Sequence, residues 1–111
     1  MITVLVVADR GRTEELDRIA AGRPSLELLH AVDAEEALDR LARNRRIDAT
    51  LVLLEGDRAV ELVRSVLEED PGAPPLFVPA GSPEIAGTRR LSAGASRPEE
   101  LLTALESGLT V

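Results

Sequence analysis

Short apolar runs alternate along this chain with segments in which apolar residues recur at helical spacing. Residues 2–8 form a Val-rich run that is apolar on both faces, which is typical of a central parallel strand. In residues 12–21 the apolar positions follow one helix face until Gly22 and Pro24 end the pattern. The same alternation predicts further strands over residues 26–32, 49–54 and 76–78, and helices that follow residues 33–36, 55–57 and 96–99.

The segment after the fourth predicted strand has a weaker pattern than the rest of the chain. Ser82 and Pro83 suit the start of a helix, as an N-cap residue and a first-turn residue. Gly87 and Gly94 dilute the residues that follow, so we expect a shortened or irregular fourth helix. Only residues 93–95 are then left for a fifth strand, which we expect to be short.

The order of the elements predicts the fold class. Strands that alternate with helices through short connections pair in parallel, with right-handed crossovers and helices on both faces of the sheet. The sequence therefore predicts an α/β fold of three layers around a doubly wound parallel sheet. At 111 residues the chain has the length of one domain, and we expect residues 1–111 to form it.

Two absent residue types exclude several kinds of chemistry. There is no cysteine, so disulfides, thiolate nucleophiles and cysteine metal sites are excluded. All 13 basic residues are Arg, which removes Schiff-base chemistry and the lysine of phosphate-binding loops. The only histidine, His30, has no nearby motif with which to build a catalytic triad. We therefore predict that the protein is not an enzyme.

Charge and hydropathy exclude two classes of partner. The net charge is −7 and Phe77 is the only aromatic residue, so neither a basic nor a base-stacking surface for nucleic acid can form. The apolar runs are far shorter than the roughly 20 residues of a membrane span. We expect a cytoplasmic protein with no nucleic-acid or membrane partner.

Acidic residues follow two of the predicted strands. Asp9 comes after the first strand, and Glu55 and Asp57 come after the third. Ligands of open parallel sheets bind at the carboxyl ends of the strands, and converging carboxylates there could hold Mg²⁺, so one hypothesis is a metal site on Asp9 and Glu55. The alternative is that Asp57 caps a helix and Asp9 is a turn residue.

Three strand regions carry a resemblance to a known family. Val4-Leu-Val-Val-Ala-Asp-Arg10, Ala49-Thr-Leu-Val-Leu-Leu-Glu55 and Leu76-Phe-Val-Pro-Ala80 resemble the active-site strands of response-regulator receiver domains. Arg97-Pro-Glu-Glu-Leu-Leu102 is similar to the start of the last helix in that family, and the likeness covers essentially the whole chain. It implies a flavodoxin-like or CheY-like fold and a place in two-component signal transduction.

The resemblance also implies a site that has lost most of its chemistry. The family transfers a phosphoryl group to an Asp after the third strand, helped by a metal on an acidic pair, a Ser or Thr and a Lys. In this chain the acidic pair is Ala8 and Asp9, the acceptor position is Glu55, the hydroxyl position is Pro79, and there is no Lys. We therefore expect a pseudo-receiver. Glu55 either mimics an activated state or is a solvated acid at the end of a strand.

Two functions remain open at this point. The first is a signalling or regulatory module that binds a protein partner or a second copy of itself, independently of phosphorylation. Its expected interaction surface consists of residues in the last helix and the region before it, namely Phe77, Ile85, Leu91, Leu101 and Leu105, although core packing is an alternative for the first three. The second is a small-ligand or nucleotide sensor with Asp9, Glu55, Asp57 and the turn at Gly81 as its pocket.

Overall fold

The computed structural model describes residues 1–110, which form a five-stranded parallel sheet with helices on both faces. The strands lie in the order β2-β1-β3-β4-β5, so the sheet is doubly wound and the predicted fold class is confirmed. The elements are β1 (Ile2–Val7), α1 (Arg10–Ala20), β2 (Leu26–Ala31), α2 (Ala34–Arg43), β3 (Ala49–Val52), α3 (Asp57–Glu69), β4 (Leu76–Ala80), β5 (Thr88–Gly94) and α4 (Pro98–Thr110).

The core lies in two layers, one on each face of the sheet. Strand β1 is an inner strand of the sheet, and every side chain from Val4 to Ala8 is fully buried, as its apolar run predicts. Alternate residues of the strands pack against α2 and α3 on one face and against α1 and α4 on the other. Within residues 1–110, no helix is both long enough and apolar enough to span a bilayer.

Helix starts follow the sequence signals in one case and depart from them in another. The Asp33 side chain accepts a hydrogen bond from the backbone N–H of Glu36 at 2.9 Å, so the predicted cap of α2 is confirmed. At α3 the N-cap is Gly56, with a φ of 57°, and Asp57 is already the first helical residue. Asp57 was predicted to cap this helix, and its carboxylate instead lies in the first turn, where it interacts favourably with the helix dipole.

The connection from β4 to β5 contains no helix, in contrast to the helix predicted at Ser82. Residues 81–87 form turns instead, and Gly81 and Gly87 both have a φ of 88°, which a helix does not accommodate. The chain therefore enters β5 early, at Thr88, and this strand is seven residues long rather than reduced to 93–95. The region is irregular, but its irregularity is a loop in the place of the predicted helix. The register of the pairing between β4 and β5 also shifts, between Val78 and Ala80.

The five residues predicted as an interaction surface are buried, so core packing, the alternative for Phe77, Ile85 and Leu91, is the interpretation that the structure supports. The extra length of β5 brings Leu91 over the face of the sheet that α4 covers, together with Phe77. Ile85, in the connecting loop, packs on the opposite face. The relative exposures are 3% for Phe77, 8% for Ile85, 7% for Leu91, and 0% for both Leu101 and Leu105.

Candidate functional site

The carboxyl ends of β1 and β3 bring two predicted acidic residues to the same edge of the sheet. The strands pair in parallel with Val7 opposite Val52, and the backbone N–H of Leu53 donates to the carbonyl oxygen of Val7 at 2.9 Å. Asp9 follows β1 by two residues and Glu55 follows β3 by three. Both side chains are exposed at this edge. The site residues were predicted from strand ends, and parallel pairing is the physical reason that they share one edge.

Asp9 is paired with an arginine from α3. Its Oδ1 accepts a hydrogen bond from Arg58 Nη2 at 3.1 Å, and the exposed fractions of the two side chains are 69% and 56%. Arg58 is the second residue of α3, so the ion pair links the start of that helix to the segment after β1. The resemblance places Asp9 in the acidic pair of the receiver family. Its charge is offset by Arg58, a side chain of the protein itself.

The other two carboxylates at this edge stand in solvent. Glu55 and Asp57 are exposed, and neither makes a side-chain hydrogen bond or an ion pair with any residue in the described part of the chain. In residues 1–110 no group of three or more His, Cys, Asp or Glu side chains is arranged to hold a metal ion.

The residues present do not fit the Mg²⁺ ion that the receiver resemblance implies. Such an ion takes several oxygen ligands in a near-octahedral arrangement. Here the methyl group of Ala8 is fully buried where the second acid of the pair would stand. Asp9 is held by a guanidinium, and Glu55 makes no contact that would aim its carboxylate at a shared ion.

Pro79 marks an irregular point in β4. This residue is buried, and the register between β4 and β5 shifts between Val78 and Ala80, on either side of it. Proline has no N–H to donate to a ladder, so within a sheet it is confined to edges and bulges. The position that the resemblance assigns to a Ser or Thr therefore has neither a hydroxyl nor a backbone donor with which to follow a phosphoryl group.

The carboxyl end of β5 also differs from the pattern that the resemblance implies. The strand ends at Gly94, which has no side chain, and not at a lysine. A guanidinium reaches this end from α1, since Arg12 Nη1 donates to the carbonyl oxygen of Ala95 at 3.1 Å. This contact connects the first turn of α1 to the turn that follows the last strand.

Arg12 and Arg58 are the two residues of this edge that sequence reasoning missed. No motif in their local sequence marks them as site residues. A usable signal was the topology, because adjacent β1 and β3 bring the start of α3 beside the end of β1. A basic residue in the first turn of a helix, where the dipole disfavours a cation, is a second signal at Arg58.

A shallow groove lies beside the site, between α2 and α3. Its volume is about 270 Å³, and Arg58 contributes to its wall. The residues that line the rest of it are acidic or apolar apart from one serine, namely Val32, Asp33, Ala34, Leu54, Glu61, Leu62 and Ser65. This lining differs from the one predicted for a ligand sensor, which consisted of Asp9, Glu55, Asp57 and the turn at Gly81.

Solved structures that resemble this chain identify its fold. A putative response regulator from Chloroflexus aurantiacus J-10-fl is 26% identical, with a TM-score of 0.72 over 99% of this chain and 98% of the other. A CheY-like receiver domain protein from Methanospirillum hungatei JF-1 is 19% identical, with a TM-score of 0.73 over 99% and 94%. The pseudo-receiver domain of the CikA protein is 19% identical, with a TM-score of 0.64 over 99% and 97%.

These structural matches settle the class of protein. The chain is a doubly wound α/β protein with parallel strands. Its fold is that of the CheY-like receiver domains of response regulators, and the resemblance seen in the sequence is confirmed. No family model matches the sequence, and no curated protein matches it significantly.

Proposed function

We propose that this chain is a cytoplasmic, phosphorylation-independent receiver-like module that acts by binding another protein and catalyses no reaction. The receiver fold supports a place in signalling, because such a fold presents helices and loops around a rigid sheet. Residues 1–111 act as one domain in this proposal. Neither nucleic acid nor a membrane surface is a partner, since the chain carries a net charge of −7 and almost no aromatic residues.

The observation that carries the proposal is the ion pair between Asp9 and Arg58. Phosphoryl transfer depends on positioned cations that offset the charge developing on the transferred group. A divalent cation and a lysine would supply that charge, and here Asp9 is paired with Arg58 while β5 ends at Gly94. Both guanidiniums that reach this edge are therefore engaged with the chain itself, Arg58 with the Asp9 carboxylate and Arg12 with the carbonyl oxygen of Ala95.

Glu55 is a solvated acid in this proposal. Its carboxylate is exposed, with no partner among the described residues, and Pro79 across the edge has no hydroxyl that could move toward it. A residue that mimics an activated state must contact the element that it switches. The exposure of Glu55 therefore favours the solvated acid over the mimic of an activated state.

A phosphorylation assay tests this proposal directly. The protein is incubated with a small-molecule acyl phosphate and Mg²⁺, and intact mass is measured for a phosphoryl adduct. A receiver domain with a complete site serves as positive control, and Glu55→Ala and Asp57→Ala are the matched variants. We expect no adduct on the wild type. An adduct that Glu55→Ala abolishes and Asp57→Ala retains would make the chain an active switch and reject the proposal.

The groove between α2 and α3 supports a second candidate function, that of a small-ligand or nucleotide sensor. Its wall carries two acids, Asp33 and Glu61, and one base, Arg58, which suits a polar ligand. A ligand that binds only the folded state raises the melting temperature. Thermal unfolding with and without nucleotides tests this function, and a shift that Arg58→Ala removes would favour the sensor over the interaction module.

A further inference from the structure

The loop between β4 and β5 leaves one side of α3 without a helical neighbour. Each of the other three crossovers passes through a helix, whereas residues 81–87 make this connection alone. The loop packs directly on α3, since a Cβ added at Gly87 would lie only 2.6 Å from Leu67 Cδ1. The side of α3 that a crossover helix would cover is thus covered only in part.

A groove runs along this partly covered side of α3. Its volume is about 400 Å³, and Val60, Arg64 and Leu67 contribute from the helix at the i, i+4 and i+7 positions of one face. Val60 and Leu67 are half-buried against the core, and Ile85 and Ala86 of the loop close the other side. We call the surface formed by these five residues with Glu68 and Glu84 the α3 seam.

The two charged residues that α3 contributes to the α3 seam have no partner within residues 1–110. Arg64 and Glu68 are exposed and lie one helical turn apart, yet neither makes an ion pair or a side-chain hydrogen bond within residues 1–110. On α2, by contrast, Glu36 pairs with Arg40 at 4.0 Å and Asp39 pairs with Arg43 at 2.9 Å. In both of those pairs the acid comes first in sequence.

The order of the two residues contributes to this difference. An acid that precedes a base by four residues pairs better on a helix than the reverse order, and Arg64 precedes Glu68. The charges of Arg64 and Glu68 are therefore available to a residue of another molecule.

The charges around the α3 seam are self-complementary. The groove contains Arg64, Glu68 and Glu84, and a neighbouring groove of about 410 Å³ shares Glu84 and adds Arg90. Two arginines and two glutamates make this region neutral, on a chain whose net charge is −7. A second copy is therefore repelled less here than by the acidic surface as a whole. An interface around a two-fold axis requires a patch that complements itself, with each residue i meeting j and each j meeting i.

We propose that the α3 seam is the interface of a two-fold symmetric dimer in which Arg64 of each copy pairs with Glu68 of the other. The proposal deepens the proposed function, on which it rests, by naming a second copy as the partner. The two α3 helices run antiparallel, so both ion pairs form at once. Met1 is the only large apolar side chain that residues 1–109 expose, so this interface is polar and the dimer is weak and sensitive to salt.

Sedimentation velocity over a range of concentrations tests the interface. We expect the wild type to show a concentration-dependent dimer. Arg64→Glu and Glu68→Arg each place like charges opposite each other across the two-fold axis, so each raises the dimer dissociation constant by about tenfold or more. A one-to-one mixture of the two variants restores dimerisation, because one is acidic at both positions and the other is basic at both.

Matched variants separate this contact from a general effect of charge. Arg45→Glu and Glu14→Arg make the same two changes of charge at exposed positions away from the α3 seam, and neither residue makes an ion pair in the described part of the chain. We expect both to dimerise like the wild type. Circular dichroism of every variant verifies that it is folded.

Two outcomes overturn the proposal. If the wild type stays monomeric up to about 1 mM, the α3 seam is not a dimer interface, and its groove then suits a helix of a different protein. A dimer that the reversals at Arg64 and Glu68 do not weaken lies elsewhere on the surface. Neither result depends on phosphate, so the sedimentation experiment and the mass experiment on Glu55 fail independently of each other.

Discussion

Arg58 and Asp9 come from segments 49 residues apart in sequence and meet at 3.1 Å, Nη2 to Oδ1, across the carboxyl edge of the sheet. The contact depends on topology, since β1 and β3 are neighbours and the helix after β3 begins beside the end of β1. A guanidinium of the protein thus stands next to the acid that the receiver resemblance assigns to a metal-binding pair. The charge of Asp9 is therefore offset by a side chain of the protein itself.

Magnesium is therefore expected to leave the stability of the protein unchanged. A cation that bound the folded state would raise the melting temperature, and the donor set at Asp9 does not fit one. Arg58→Ala removes the ion pair yet restores no second acid, so we expect no magnesium effect in this variant either. Thermal unfolding by circular dichroism, with Mg²⁺ or with an equal ionic strength of NaCl, is the measurement. A rise specific to Mg²⁺ in the wild type would contradict this account of the site.

Replacing Gly87 by Ala is expected to destabilise the protein by about 1–3 kcal/mol. The backbone has a φ of 88° there, and the added Cβ would lie 2.6 Å from Leu67 Cδ1, so both strain and a clash result. Urea unfolding followed by circular dichroism measures the change. Gly11→Ala is the control, because Gly11 lies in α1 with nothing within 4 Å, and we expect a gain of about 0.5–1 kcal/mol there. Equal stability of Gly87→Ala and the wild type would show that the loop does not pack on α3 as described.

The sequence predicts most strands correctly because a central parallel strand needs a continuous apolar run, and such a run survives any tertiary context. The helix predicted at Ser82, where the structure has a loop, shows the limit of local signals. A cap and a Pro favour the start of a helix, but a short segment forms one only when an apolar face packs on the core. Ile85 alone supplies such a face in residues 81–87, and two glycines with positive φ turn the chain instead.

The acids of the site were predictable in position but not in their partners. Strand ends place Asp9 and Glu55 at one edge, whatever the side chains around them. Which helix side chain reaches Asp9 depends on where α3 begins relative to β1, and that is set by Gly56 and by packing rather than by the residues near Arg58. The exposure expected for Phe77 and Leu91 has the same origin, because β5 was expected to be too short to cover them.

Thr50→Val is expected to stabilise the protein by about 1 kcal/mol. Thr50 lies in β3 with 0% exposure, and its Oγ1 has no hydrogen-bond partner within the described residues. Valine has nearly the same shape and removes the cost of a buried, unsatisfied hydroxyl. Urea unfolding gives the difference, with Thr103→Val on the exposed face of α4 as the comparison. A loss of stability at Thr50 would mean that the hydroxyl has a partner, such as a buried water.

Leu105→Ala distinguishes a core residue from the interaction residue that the sequence suggested. Leu105 is a residue of α4 and is fully buried against the sheet. Its replacement by Ala therefore leaves a cavity and lowers the free energy of unfolding by about 2–5 kcal/mol. Glu100→Ala on the same helix is the control, because its ion pair with Arg97 is largely exposed and is worth less than about 1 kcal/mol. The chain has no Trp or Tyr, so unfolding is followed by far-ultraviolet circular dichroism. A Leu105→Ala variant that is as stable as the wild type but associates more weakly would contradict this prediction. It would show that Leu105 lies in an interface and that the dimer forms through α4 and not through the α3 seam.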